Sequence, residues 1–443
     1  MQRCPGATLC VLVFASGAGC CLVSLLLGYL SRIFLDQTSE TSWILRFTFT
    51  LVGYATVFLP FYVLIHFARK NNLASLSGFQ WKLVRLLLTG NTSITSDQEQ
   101  LVENDDDDKS GSSTKPALSK IQTLVFCCAG LQISYLTWSY LQERIMTKEY
   151  QDAGKSEMFR DSQFLVFVNR ILAFAFSGVY LLVTHQRVHR TPLYKYSFCS
   201  VSNTLSSWCQ YEALKFVSFP TQVLAKSAKV IPVMVMGKLV SRAQYKNYEY
   251  ATAVLISAGM TAFLLGSSDE NKKSSGVTTF SGAVLLCGYL IFDSFTANWQ
   301  SALFKEHRPS SVQMMCGVNL MSCLFTSASL IQQGGFFYSL SFAARHPEFI
   351  VHCLLTAVCS AAGQLFIFST IANFGAVVFT IIMTVRQGLS ILLSCVFFRH
   401  HITAFGVVGV MIVFVAIFVR IYYGHRDRQR KVNLAASASV NKV

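Results

Sequence analysis

Two lysines, Lys226 and Lys229, sit inside a membrane-length apolar stretch that runs from about Phe219 to Val240 (FPTQVLAKSAKVIPVMVMGKLV). An ammonium group at the centre of a bilayer costs about 2.5–3.5 kcal/mol on insertion scales, so two in one span need compensation. Three residues advance about 300° around a helix, which puts both lysines on one face, with Gln222 one turn earlier. Two arrangements meet the cost. Either the side chains reach the headgroups or pair with acids inside a bundle, or they line a polar cavity that receives an anion. Lys229, close to mid-span, suits the cavity better than Lys226, which has a shorter reach to the interface. Pro232, three residues on, lacks a backbone N–H and predicts a kink beside Lys229.

A third cation repeats the pattern. Arg386 lies deep in the apolar run TIIMTVRQGLS, 157 positions after Lys229, and Arg399 stands 157 positions after Arg242. The two spans concerned are five apart in the count below, and five is odd, so they cross in opposite directions. That is the pattern of an inverted repeat with an alternating-access site near mid-membrane.

The elements that position these residues are helices. The chain has 443 residues, of which 52% are hydrophobic and only 13% charged, with a mean hydropathy of +0.45. Soluble domains carry about twice that charge, and the apolar residues here fall in runs of about 20, the length that crosses hydrocarbon as a helix. The fold class expected is an all-α polytopic membrane protein. Residues 8–30 read as a signal anchor or a signal peptide, and a second span covers about 47–66. A polar linker, 67–119, follows, with the acidic run Asp105–Asp108 and a glycosylation sequon at Asn91. Ten core spans are then expected at about 121–141, 163–184, 197–215, 219–240 and 248–266, and at 280–302, 311–331, 349–371, 374–398 and 403–422. The first five form one repeat (120–266), the last five another (280–422), joined by the loop 267–279 and followed by a basic tail, 423–443. Arginine and lysine crowd 185–196, 241–247 and the tail, so the positive-inside rule places the C-terminus in the cytosol. The linker is then cytosolic too, and the Asn91 sequon unused.

Other polar residues fall within the spans. Gln132, Tyr135, Trp138, Gln142 and Glu143 lie along the first core helix; Gln210, Tyr211 and Glu212 end the third; Asp293 and Asn298 lie in the sixth, Asn319 in the seventh and Gln364 in the eighth. Buried amides and hydroxyls in lipid mostly hold helices together. Tyr135, Trp138 and Tyr211 are also of the type that flanks a flat ring. Gly259, Gly288 and Gly363 read as close helix contacts.

Several function classes are excluded or unsupported. The formal charge of +15 sits in short loops and the tail, where it orients spans, so it is no nucleic-acid footprint. No HExxH, GxSxG or GxxxxGK[ST] motif occurs, and an enzyme is not expected. The 14 cysteines lie almost entirely in apolar runs without metal-ligand spacing and read as small core residues. No cofactor and no metal is expected.

The stretch SSWCQYEALKFVSFPTQVLAKSAKVIPVMVMGKLVSR (206–242) resembles the signature of nucleotide-sugar transporters of solute carrier family 35, subfamily B. FDSFTANWQ (292–300), SSVQMMCGVN (310–319), CSAAGQLFIFSTI (359–371), FTIIMTVRQ (379–387) and YLTWSYLQERIMT (135–147) extend the resemblance over about 120–422. It implies the drug/metabolite transporter fold, with two inverted five-helix halves, in the Golgi membrane. It also implies import of 3′-phosphoadenylyl sulfate (PAPS) from cytosol to lumen, in exchange for adenosine 3′,5′-bisphosphate or another adenosine nucleotide. Such a ligand needs several cations, so Lys226, Lys229 and Arg386 are the residues expected to hold its anionic groups. Gln222, Gln210, Tyr211, Tyr135 and Gln364 complete the expected substrate contacts. The lipid bilayer is the expected surrounding, a homodimer is allowed, and no nucleic acid is involved. The rival within the fold is a carrier for a nucleotide sugar or an adenine nucleotide; outside it, a non-transporting receptor or scaffold.

Overall fold

Apolar runs bounded by charged loops become helices, because a backbone in hydrocarbon must satisfy its own hydrogen bonds. The computed structural model describes scattered helical positions between 15 and 70, then residues 117–152, 155–159, 161–184, 191–213, 216–217, 222, 225–226, 228–266, 280–332, 335–397 and 404–440. Residues 71–116 of the linker, with the Asn91 sequon, and the loop 267–279 lie outside the described residues, as does most of the first hydrophobic segment, while 117–119, expected in the linker, are helical.

In chain order the elements are α1 (Ala117–Thr147), a hairpin of β1 (Glu149–Asp152) and β2 (Lys155–Met158), α2 (Ser162–Val183), α3 (Tyr194–Ala213), α4 (Val230–Ser241), α5 (Asn247–Gly266), α6 (Phe280–His307), α7 (Ser311–Gln332), α8 (Gly335–Arg345), α9 (Pro347–Phe397) and α10 (Ala404–Val440). Among the described residues six helices are long and apolar enough to cross a membrane, fewer than the ten spans expected. One of the six covers Pro347–Leu389, 43 residues. At 1.5 Å per residue that is about twice the hydrocarbon thickness. Gly375 interrupts it with φ 84° and ψ 171°, at the start of the span expected at 374–398, just after the one expected at 349–371.

The fourth expected span is not one helix. Gln222, Ala225 and Lys226 are helical, Ala228 and Lys229 form a turn, and α4 starts at Val230. The amides of Ala228, Lys229 and Ile231 bond three residues back, to Ala225, Lys226 and Ala228. Pro232 therefore falls in the first turn of α4, where its missing N–H costs nothing. The kink expected beside Lys229 is thus a break, and it lies before the proline rather than at it.

The chain divides into two compact units, Met1–Thr204 with Leu303–Asn373, and Leu205–Ala302 with Phe374–Val443. In the first unit, Ile145, Tyr150, Phe159, Phe164, Leu165, Leu330, Phe342, Phe349 and Cys353 form a buried aromatic core. The hairpin covers it. Its strands pair antiparallel with Tyr150 opposite Glu157, although EYQD and KSEM are poor strand sequences; burial of Tyr150 holds them there. The same burial lifts the Tyr150 hydroxyl to about 12, so it stays protonated, 3.2 Å from His352 Nδ1. Arg345 pairs with Glu157 at 3.1 Å, Lys148 with Glu348, and Ser339 donates to Asp161 at 2.8 Å. Tyr54 and Phe58 of the N-terminal segment meet Phe325 and Phe198 edge to face, at 6.3 and 5.8 Å.

In the second unit, Val230, Val233 and Met234 of α4 share a core with Ala253 and Ile256 of α5, Ala297 of α6, Ala376, Val377 and Ile381 of α9, and Ala416 of α10. Helices α5 and α10 meet through glycines. A Cβ placed on Gly409 would lie 2.6 Å from the Gly259 carbonyl oxygen, and one on Gly259 would lie 2.8 Å from that of Gly409. Gly288 faces Cys209 Sγ at 3.3 Å and Gly363 faces Tyr135 at 2.9 Å by the same measure, so all three glycines named above lie at helix contacts.

Candidate functional site

Lys229 stands at the N-cap position of α4 without a side-chain capping bond. A helix begun at mid-span directs the positive end of its dipole at that point, and the Lys229 ammonium adds to it, although the amides of Ala228, Lys229, Ile231 and Val233 are themselves bonded to carbonyls. Its Nζ lies 3.1 Å from Asp293 Oδ2 of α6, the two side chains being 13% and 29% exposed. Lys226 lies one turn earlier, its Nζ 6.0 Å from the centre of the Tyr289 ring, also on α6. Tyr289 and Asp293 are four apart, so both lysines look onto one face of α6. Asn298 fixes that helix against α4, donating from Nδ2 to the Val233 carbonyl at 2.8 Å.

Arg386 belongs to α9, whose Ala376, Val377 and Ile381 share the α4 core and whose Val385 packs against it. The charges of Lys229, Asp293 and Arg386 all act on Lys226. Lys226, Lys229, Asp293 and Arg386 thus lie in one electrostatic neighbourhood within the second unit, with the ion pair between Lys229 and Asp293 at its centre. Gln222, 1% exposed, donates from Nε2 to the Gln210 carbonyl at 2.8 Å, which braces the break against the end of α3. Tyr211 ends the same helix, and its side chain is outside the described residues.

The remaining two expected contacts lie in the first unit. Gln364 accepts from Asn319 Nδ2 at 2.7 Å, both buried. Tyr135 packs on Gly363, next to Gln364 in sequence. Tyr135 and Trp138 meet edge to face, with centroids 6.0 Å apart and planes at 78°, so the two rings do not form a parallel clamp. Among the described residues Gln132 Nε2, Trp138 Nε1 and Gln142 Oε1 on α1 are buried without a hydrogen-bond partner.

Asp293 and Tyr289 are absent from the sequence-derived set. The signal for Asp293 was an ionisable residue inside the apolar run GYLIFDSF, which by default marks function in a membrane span. Its partnership with Lys229, 64 residues away, follows from packing and not from any local spacing.

Comparison with known proteins agrees with a carrier. The model of the UAA transporter family matches residues 123–424, and the chain belongs to that family of polytopic membrane transporters. The chain is 51% identical over 424 residues to adenosine 3′-phospho 5′-phosphosulfate transporter 1 of Drosophila melanogaster, covering 94% of this chain and 90% of the relative. It is 51% identical over 405 residues to the Homo sapiens protein of the same name, covering 90% and 92%. UDP-galactose/UDP-glucose transporter 5 of Arabidopsis thaliana is 37% identical over 312 residues, 70% of this chain and 89% of the relative.

Proposed function

We propose that this chain carries PAPS from the cytosol into the Golgi lumen by alternating access, in exchange for adenosine 3′,5′-bisphosphate or another adenosine nucleotide. The observation that carries the reading is the placement of Lys226 and Lys229 at a break in an apolar span, with Arg386 within electrostatic reach. A 3′-phosphomonoester bears about −1.5 to −2 charge at neutral pH, and the phosphosulfate adds more. Arg386 offers a two-pronged fork for a phosphate and Lys229 a point charge. Two relatives named as PAPS transporters, at 51% identity over nine-tenths of the chain, support the choice of substrate.

Helix packing supports the inverted repeat. Counting spans from α1, the second packs on the seventh (α2 on α7) and the fifth on the tenth (α5 on α10); the fourth shares a core with the ninth (α4 with the end of α9). The first meets the eighth at Gly363 and the third meets the sixth at Gly288, and these two contacts exchange under a five-span shift. Such pairing is what a two-fold relation between five-helix halves requires. Exchange follows if the empty, cationic site reorients less readily than the filled one. With the C-terminus cytosolic, the hairpin faces the lumen.

The test is uptake of labelled PAPS by liposomes containing the purified protein, either empty or preloaded with adenosine 3′,5′-bisphosphate. Saturable uptake competed by the bisphosphate but not by UDP-sugars is expected, faster into preloaded vesicles. Uptake of UDP-galactose without uptake of PAPS overturns the substrate and leaves the fold. The Arabidopsis relative makes that the alternative to measure.

A further inference from the structure

The carboxylate beside Lys229 has no evident place in a site built for polyanions. Asp293 Oδ2 is 3.1 Å from Lys229 Nζ, and it repels any phosphate or sulfate that approaches the same ammonium. Its position four residues after Tyr289, whose ring faces Lys226 at 6.0 Å, puts it on the face of α6 that both lysines share. Resting on the anion-site reading above, we propose that Asp293 is an internal competitor for the ligand. It occupies Lys229 in the empty carrier and is displaced when a phosphate or sulfate arrives.

The physical reason is the balance of charge. Asp293 holds the Lys229 ammonium; with the carboxylate gone, an arriving polyanion meets Lys229 with no ion pair to break and leaves it more slowly. With Asp293 each binding event breaks one ion pair and each release re-forms it, so the carboxylate weakens binding and speeds release by the same exchange of partners. A purely structural ion pair, holding α4 to α6, has a different signature. Its loss lowers stability and leaves affinity unchanged or worse.

Asp293→Asn keeps the shape and the hydrogen-bonding oxygen while removing the charge. The readouts are equilibrium binding of adenosine 3′,5′-bisphosphate to the purified full-length protein and kinetics of PAPS exchange. The expected result is about tenfold tighter binding, with KM and kcat both lowered because release becomes slow. Asp293→Glu restores the charge and reverses the tightening. If Asp293→Asn does not fold, wild-type protein labelled with 13C-aspartate gives the answer by infrared difference spectroscopy. The bisphosphate is expected to shift a labelled carboxylate stretch that disappears in Asp293→Glu. Wild-type protein that binds the bisphosphate while Asp293→Asn binds no tighter, or that shows no such band, overturns the proposal. Wild-type protein that binds no bisphosphate at all overturns the anion-site reading instead.

Discussion

At the scale of single residues, the chemistry gathers on Lys229. It closes one ion pair, starts a helix and stands in an apolar span. Lys229→Ala removes a charge-assisted contact of about 1.5–3 kcal/mol and strands Asp293 without its partner. PAPS uptake into proteoliposomes is expected to fall at least about 100-fold. The double variant Lys229→Gln with Asp293→Asn removes both charges, so it should regain thermal stability lost in Lys229→Ala without regaining transport; recovered uptake would refute the role given to Lys229. Asn298 acts through the backbone, since its amide holds the Val233 carbonyl beside that site. Asn298→Ala is expected to lower stability by about 1–3 kcal/mol, read as a fall in the unfolding midpoint in detergent.

At the scale of elements, much was legible in the sequence. Helix α2 was expected at 163–184 and runs Ser162–Val183; α5 was expected at 248–266 and runs Asn247–Gly266. Such agreement has a simple cause, because an apolar run of membrane length ends where charged residues begin. What local pattern did not reveal depends on distant partners. The hairpin lies in a polar loop and forms because Tyr150 fits an aromatic core supplied by Phe342 and Phe349, nearly 200 positions on. Helix α8 was not expected at all, being 11 residues long and too short to register as a span. The break at 228–229 was read as a proline kink because Pro232 inside a continuous helix would remove a hydrogen bond, whereas in the first turn of α4 it removes none.

Two glycines carry element-scale predictions of different kinds. Around Gly375 a Cβ would meet nothing within 4 Å, yet its φ of 84° with ψ 171° is a region open essentially to glycine alone. Gly375→Ala should therefore cost about 1–3 kcal/mol by backbone strain without any clash. Gly409 is the reverse case, helical but pressed on the backbone of α5 at Gly259. Gly409→Ala forces α5 and α10 apart, at about 1–3 kcal/mol or more. Calorimetry of the two purified variants in detergent tests both, and a Gly409→Ala midpoint equal to wild type would show that the helices separate freely.

At the scale of the whole molecule, the charge distribution sets direction. The basic loops and tail give the proposed orientation, with Val443 on the cytosolic side. An epitope appended there should be stained when only the plasma membrane is permeabilised, and staining that requires opening of internal membranes would reverse the proposed topology. The candidate site was legible only in part at this scale. Lys226, Lys229 and Arg386 announce themselves as cations in apolar runs, whereas Tyr135 and Gln364 belong to the other compact unit and look, by sequence, like any polar helix contact.

The turn at Ala228 and Lys229 has one more consequence. Amides held by three-residue bonds of 3.2–3.4 Å have weaker protection than those of intact helices. They should take up deuterium early, so mass spectrometry of the peptide containing 228–231 becomes a clock for site occupancy: fast labelling in the empty protein, slow once a nucleotide holds Lys229 in place.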